Sequence, residues 1–113
     1  MVLAIEGANF IEDDLGRVKV AYDLGVRQIG LVHYTRNTIG DFQTEKPEYN
    51  GLTELGKKVV QECNRLGVLV DLAHCTPAAV EQALSISTAP MVWSHSSIAA
   101  AGQPHWSMVA WKA

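Results

Sequence analysis

Apolar positions along the chain alternate between two patterns: short unbroken runs, and longer stretches in which they recur every three or four residues. Residues 2–6, Val-Leu-Ala-Ile-Glu, form an unbroken run closed by a carboxylate, which is how a strand covered on both faces reads. Gly7 breaks it. Over residues 11–24, Leu15, Val18, Ala21 and Leu24 make a stripe at helical spacing. Glu12, Asp13 and Asp14 suit the positive end of that helix, and Gly25 suits its stop. VRQIGLVH at 26–33 predicts a second strand. From Tyr34 to about Gly51 the sequence is polar and rich in Asn, Gly, Asp and Pro, which predicts a loop; loops beyond ~12–15 residues are usually functional or disordered.

Leu52, Leu55, Val59, Cys63 and Leu66 share one face of a helix over 52–66, ended by Gly67. VLVDLAH at 68–74 predicts a third strand. Thr76-Pro77 then reads as an N-cap followed by proline at the first helical position, opening a helix that runs to about Ser85. Pro90 opens a fourth strand, MVWSHS, ending near His95, and an irregular tail is expected from about residue 98. The order βαβαβαβ predicts an α/β fold of parallel β/α units, with helices packed on a parallel sheet, in a single domain over 1–113. Leu24-Gly25-Val26 leads through a strand to His33, and Leu66-Gly67-Val68 leads through a strand to His74, so the architecture repeats internally.

Each of the four expected strands ends in a residue able to bind a metal or move a proton: Glu6, His33, His74 and His95. In a parallel sheet all C-terminal strand ends lie at one edge, and in a (β/α)₈ barrel that edge carries the active site. Neutral imidazole and carboxylate are usual zinc ligands, and a catalytic zinc keeps three protein ligands with one position open to water. Glu6, His74 and His95 would supply such a set. A lone histidine at a strand end is more often a hydrogen-bonded structural residue, and Glu6 alone could cap a helix; the case rests on the four together. No short ligand motif such as HExxH is present. Asp71, inside an apolar run, needs buried partners and is expected to sit behind the ligands, in a supporting or purely structural role. Cys75 beside His74 is read as a bystander and Cys63 as a small buried hydrophobe. Ser94, Ser96 and Ser97 flank His95 without the G-x-S-x-G setting of a nucleophilic serine.

Composition narrows the field. With 48% apolar and 19% charged residues and a net charge of −3, the chain is an ordinary globular sequence. It gives no electrostatic reason to expect nucleic acid or an anionic membrane as partner. No apolar stretch approaches the ~20 residues of a membrane span, and MVLAIEGANF lacks the basic start of a signal peptide. Localisation is left open, with the cytoplasm as default. Two cysteines do not make a disulfide framework.

Glu6-Gly7, GVRQIGLVHYTRN at 25–37, GLTELGKKVVQECNRLGVLVDLAH at 51–74 and PMVWSHSS at 90–97 closely resemble the membrane dipeptidase (renal dipeptidase) family of zinc peptidases, over roughly residues 2–97. The resemblance implies a (β/α)₈ barrel in which two zinc ions cleave dipeptides. It implies that Glu6 matches the carboxylate bridging both metals and that His74 and His95 match the histidines on one of them. His33 would match the catalytic histidine that contacts substrate and stabilises its tetrahedral intermediate. The family's His-x-Asp pair, which lies upstream of the bridging glutamate, and its late aspartate have no counterpart here. Where an Arg-Asn pair usually follows Ser-His-Ser, this chain reads GQPHWSMVAWKA. A whole barrel needs ~250 residues, so the 113 residues are expected to be a central segment with about four of eight strands. Such a segment is expected to hold at most one complete zinc site, to be inactive alone, and to self-associate through open sheet edges. Other readings are a different amidohydrolase-type metal hydrolase, such as a lactonase, and a non-catalytic fragment.

Overall fold

The structure, a computed structural model, describes residues 1–95; Ser96, Ser97, His105 and the tail expected from about 98 lie outside the described residues. Three parallel strands, β1 (Leu3–Ile5), β2 (Val26–Gly30) and β3 (Leu69–Asp71), form one sheet in sequence order. Helix α1 (Arg17–Asp23) joins β1 to β2, α2 (Glu54–Leu66) joins β2 to β3, and α3 (Pro77–Ile86) follows β3. Successive helices pack on each other, α1 on α2 and α2 on α3. A strand order with no reversal, covered by helices that neighbour one another in sequence, is the arrangement of part of a (β/α)₈ barrel, whereas a doubly wound sheet reverses its strand order. The fourth strand expected at 90–95 is reduced to a single parallel bridge between Val92 and Asp71, though Val92 N–H also donates to the Val70 carbonyl at 2.9 Å.

Local chemistry explains the element boundaries. Thr53 caps α2 by accepting from Gly56 N–H at 2.9 Å, and Gly67 closes it in the left-handed region at φ 78°. Thr76 caps α3, with Pro77 at its first position. Buried Val59, Val60 and Cys63 turn the apolar face of α2 inward. Burial pushes the Cys63 thiol up to about 12. The first helix departs from its expected span of 11–24. Ala8–Ile11 is a 3₁₀ turn, Glu12 takes φ 52°, and the Asp14 side chain accepts from Gly16 N–H at 2.9 Å. A left-handed residue and an aspartate that competes for backbone donors delay helix propagation until Arg17.

The 34–51 segment is built around one side chain. Asp41 is fully buried and accepts from the N–H groups of Glu48 (2.7 Å), Tyr49 (3.1 Å) and Gly51 (2.8 Å), with the Arg36 guanidinium 3.7 Å away. A buried carboxylate is tolerated only when its lone pairs are so occupied. Ile39 and Phe42 beside it enter the core. Asn37 adds a second tie, accepting from Ile39 N–H and donating to the Leu31 carbonyl, each at 2.9 Å. The long polar stretch is thus an ordered loop.

Candidate metal centre

One row of the sheet register delivers the three histidines. Gly30 pairs with Asp71, and Asp71 bridges to Val92. Three positions beyond each member of this row stand His33, His74 and His95. Glu6 follows directly on Ile5, which pairs with Ile29. The strands therefore end earlier than the sequence suggested, at Gly30 and Asp71 rather than at the histidines, which occupy the loops just past the sheet edge. Parallel pairing keeps equal offsets at equal heights, so the three imidazoles converge, and Glu6 at the end of β1 lies within reach of them.

Glu6 Oε1 lies 2.6 Å from His33 Nε2, 3.1 Å from His74 Nε2 and 3.9 Å from His95 Nε2. The His74 and His95 Nε2 atoms are 2.8 Å apart, their rings edge to face with centroids at 4.7 Å. His33 stands 4.7 Å from His74 in the same way, and the Tyr34 ring covers both at 4.2 and 4.8 Å. The His74 side chain is only 11% exposed, against about half for Glu6 and His95, so the cluster opens to solvent on one side. Burial lowers the His74 pKa; the hydrogen bond to Glu6 opposes this, and neighbouring His95 and His33 add to the lowering. The lowering favours the neutral ring, the form that ligates a metal.

The backbone at His74 is unusual. It takes φ 67°, a conformation histidine adopts more readily than bulkier residues but still at a cost. The long loop holds it there. Gln43 N–H donates to the His74 carbonyl at 2.8 Å, Phe42 bridges to Cys75, and Thr76 N–H reaches the Asp41 carbonyl at 3.4 Å. At the other end, Gly7 at φ 86° leaves no room for a side chain: a Cβ there would meet Asn9 Oδ1 at 2.9 Å and His33 Cβ at 3.0 Å. That closeness brings the turn after β1 against His33.

The donor set fits a divalent cation. Among the described residues, Glu6, His74 and His95 offer three ligand atoms that all lie within 4.8 Å of one another. Two ligands on a tetrahedral zinc, each ~2.0–2.1 Å from the ion, stand ~3.3 Å apart. The contacts of 2.8, 3.1 and 3.9 Å bracket that value, so seating an ion requires adjustments of up to about half an ångström. Cys75 does not join this set. It is buried, its thiol is pushed up to about 12 by desolvation with nearby Asp71 adding to it, and it stays protonated.

The profile of the membrane dipeptidase family (peptidase family M19) matches residues 1–106. The chain belongs to the membrane dipeptidase family. It is 41% identical over 97 residues to an uncharacterized dipeptidase of Schizosaccharomyces pombe, a match covering 85% of this chain and 24% of that protein. Among solved structures it superposes on the probable dipeptidase PvdM of Pseudomonas aeruginosa with a TM-score of 0.80 at 32% identity, over 84% of this chain and 26% of that one. A metallo peptidase of Rhodobacter sphaeroides, solved with a phosphinate mimic of the dipeptide L-Ala-D-Ala, gives a TM-score of 0.76 at 31% identity, over 84% and 28% of the two chains. The chain thus spans about a quarter of the length of these relatives.

Within this segment, the structure brings together all four residues singled out by strand-end position. Asp71, expected behind them, is buried and accepts from Ala73 N–H (3.0 Å), Ser94 N–H (3.1 Å), Gln28 Nε2 (3.2 Å) and the Ser94 hydroxyl. It fastens the segment bearing His95 to β3. Sequence reasoning missed Asp41, whose only signal was a carboxylate between apolar Ile39 and Phe42. It also missed Tyr34 over the imidazoles and the supporting part of Ser94. No helix among the described residues is long and apolar enough to cross a membrane.

Proposed function

We propose that this chain contributes the metal-holding edge of a zinc-dependent dipeptidase, with Glu6, His74 and His95 as ligands and His33 on the substrate side. The observation that carries the reading is the convergence of one carboxylate oxygen and two imidazole Nε2 atoms at the edge of a barrel-type sheet. A zinc ion bound there supplies Lewis acidity toward a peptide carbonyl and acidifies water. The chain's own residues do the rest. Glu6 orients His33 through the 2.6 Å contact, which sets the one-third-exposed ring beside the cluster, where it would face charge developing on a substrate oxygen. His74, whose pKa burial lowers, would offer its lone pair to the ion. Tyr34 walls one side against water.

The dipeptide mimic held by the Rhodobacter sphaeroides relative supports a dipeptide as substrate. Three ligands suffice for one ion in this chain, and we assign the chain no turnover by itself. Exposed Val2, Leu3 and Leu24 beside β1 favour a second copy of the chain as its partner in isolation. Zinc titration against a chromophoric chelator, with hydrolysis assays on L-Ala-D-Ala and on a simple lactone, tests the reading. The expected result is one equivalent of zinc and no hydrolysis by this chain, with dipeptide but not lactone cleaved by a longer form carrying the rest of the barrel. Failure to bind zinc, or cleavage of the lactone alone, contradicts it.

A further inference from the structure

The hydrogen bonds behind His95 have a direction, and that direction fixes which nitrogen of its ring carries the hydrogen. Ser94 Oγ stands between two groups. On one side it contacts Asp71 Oδ2, and on the other it lies 2.9 Å from His95 Nδ1. A serine hydroxyl has one proton to give, and an aspartate carboxylate can only accept. The proton therefore goes to Asp71. Ser94 can then only accept from the ring, so Nδ1 carries the hydrogen. The remaining nitrogen, Nε2, is left with a bare lone pair, and it is this atom that lies 2.8 Å from His74 Nε2 and 3.9 Å from Glu6 Oε1.

The Asp71 carboxylate has no freedom to reverse this. Its Oδ1 is taken by two backbone donors, Ala73 N–H and Ser94 N–H, which cannot become acceptors. Its Oδ2 receives Gln28 Nε2 and the Ser94 hydroxyl. Four donors fill the carboxylate.

We propose that Asp71 and Ser94 are positioning residues that lock His95 in its Nδ1–H tautomer, so that its Nε2 lone pair is presented to the ligand cluster before any cation arrives. The proposal deepens the metal-site reading and takes from it the role of His95. Its first test is made on the metal-free protein, where that reading is not at stake. A carboxylate or hydroxyl behind a ligating histidine raises its basicity and fixes its ring, and losing such a partner typically lowers metal affinity ~10–100-fold.

The decisive variant is Asp71→Asn, because the backbone dictates how the new amide sits. Ala73 N–H and Ser94 N–H require an oxygen at the Oδ1 position, so the amide nitrogen takes the Oδ2 position facing Ser94. Gln28 can rotate its own amide to present oxygen. The asparagine then donates to Ser94 Oγ, and the hydroxyl proton turns to His95 Nδ1. The tautomer inverts, with hydrogen on Nε2.

Two-bond ¹H–¹⁵N correlation spectra of ¹⁵N-histidine-labelled, metal-free protein read the tautomer directly. They are recorded about two pH units above the usual imidazole value of ~6.5, with the His95 signals assigned by their loss in His95→Gln. The expected spectrum shows His95 as Nδ1–H in the wild-type chain, as Nε2–H in Asp71→Asn, and as a mixture in Ser94→Ala, where Nδ1 loses its partner. Zinc affinity of Asp71→Asn should fall ~10–100-fold. Nε2–H in the wild type overturns the proposal, as does an Nδ1–H signal that survives unchanged in Ser94→Ala and in a folded Asp71→Asn. The wild-type spectrum needs no variant to fold. Nδ1–H in a chain that fails to bind zinc supports the lock and overturns the metal reading; zinc bound by a chain with Nε2–H does the reverse.

Discussion

On the β3 side of the sheet, Asp41, Asp71 and Thr76 are buried polar side chains that accept hydrogen bonds from backbone and neighbouring groups. On the β1 side, Val2, Leu3, Val20 and Leu24 are apolar and exposed, and Ile5, Phe10 and Leu24 line an apolar groove of about 530 Å³. The two sides meet at the candidate metal centre, which takes His74 and His95 from the first and Glu6 from the second. Buried, saturated carboxylates give the histidines one arrangement, because breaking either network strands several donors at once. Glu6 has no such frame. It hangs from a three-residue strand whose only partner among the described residues is β2. Position is thus specified strongly for the imidazoles and weakly for the carboxylate.

The comparison breaks most visibly at Asp41. Asp41→Ala leaves the N–H groups of Glu48, Tyr49 and Gly51 without their acceptor, and should cost on the order of 3 kcal/mol or more in urea unfolding. It should also release the loop from the His74 carbonyl, seen as faster amide exchange at Gln43. Little loss of stability would mean that the loop is held by its apolar residues alone. A smaller effect is expected at Thr53, which caps α2 and also donates to the Thr38 carbonyl at 2.6 Å. Thr53→Ala should lower the unfolding free energy by about 1 kcal/mol, leaving zinc binding intact. The smallest effect on stability belongs to the β1 side. Val20→Lys with Leu24→Lys should move it by no more than ~0.5 kcal/mol each. The same pair should shift size-exclusion elution from self-associated to monomeric species; a wild-type chain already monomeric at high concentration would show that this apolar face needs no cover.

These differences also explain what could be read from the sequence. Glu6, His33, His74 and His95 were legible because parallel topology converts position after a strand into position in space, and that needs no knowledge of side-chain contacts. The strand ends were not. The histidines belong to loops whose first residues, such as Leu31, Val32 and Leu72, Ala73, are buried and apolar and so continue the strand pattern past the last ladder pair. The first helix was over-read because its apolar stripe begins before the left-handed Glu12 and the Asp14 turn that delay it. Asp41 escaped notice because its partners are main-chain amides seven to ten residues on, which carry no side-chain signature. Asp71 stands out as the one charge in an apolar strand, but its bond to Ser94 joins residues 23 positions apart and leaves no trace in the sequence.

The central claim is that Glu6, His74 and His95 hold one ion while His33 serves the substrate. Zinc stoichiometry measured by competitive titration across Glu6→Gln, His74→Ala, His95→Ala and His33→Ala tests it most directly. The account predicts one tightly bound zinc in the wild type and in His33→Ala, with tight binding abolished in His74→Ala and His95→Ala and weakened in Glu6→Gln. Unchanged stoichiometry in the His74 and His95 variants, or loss of zinc in His33→Ala equal to theirs, would contradict it.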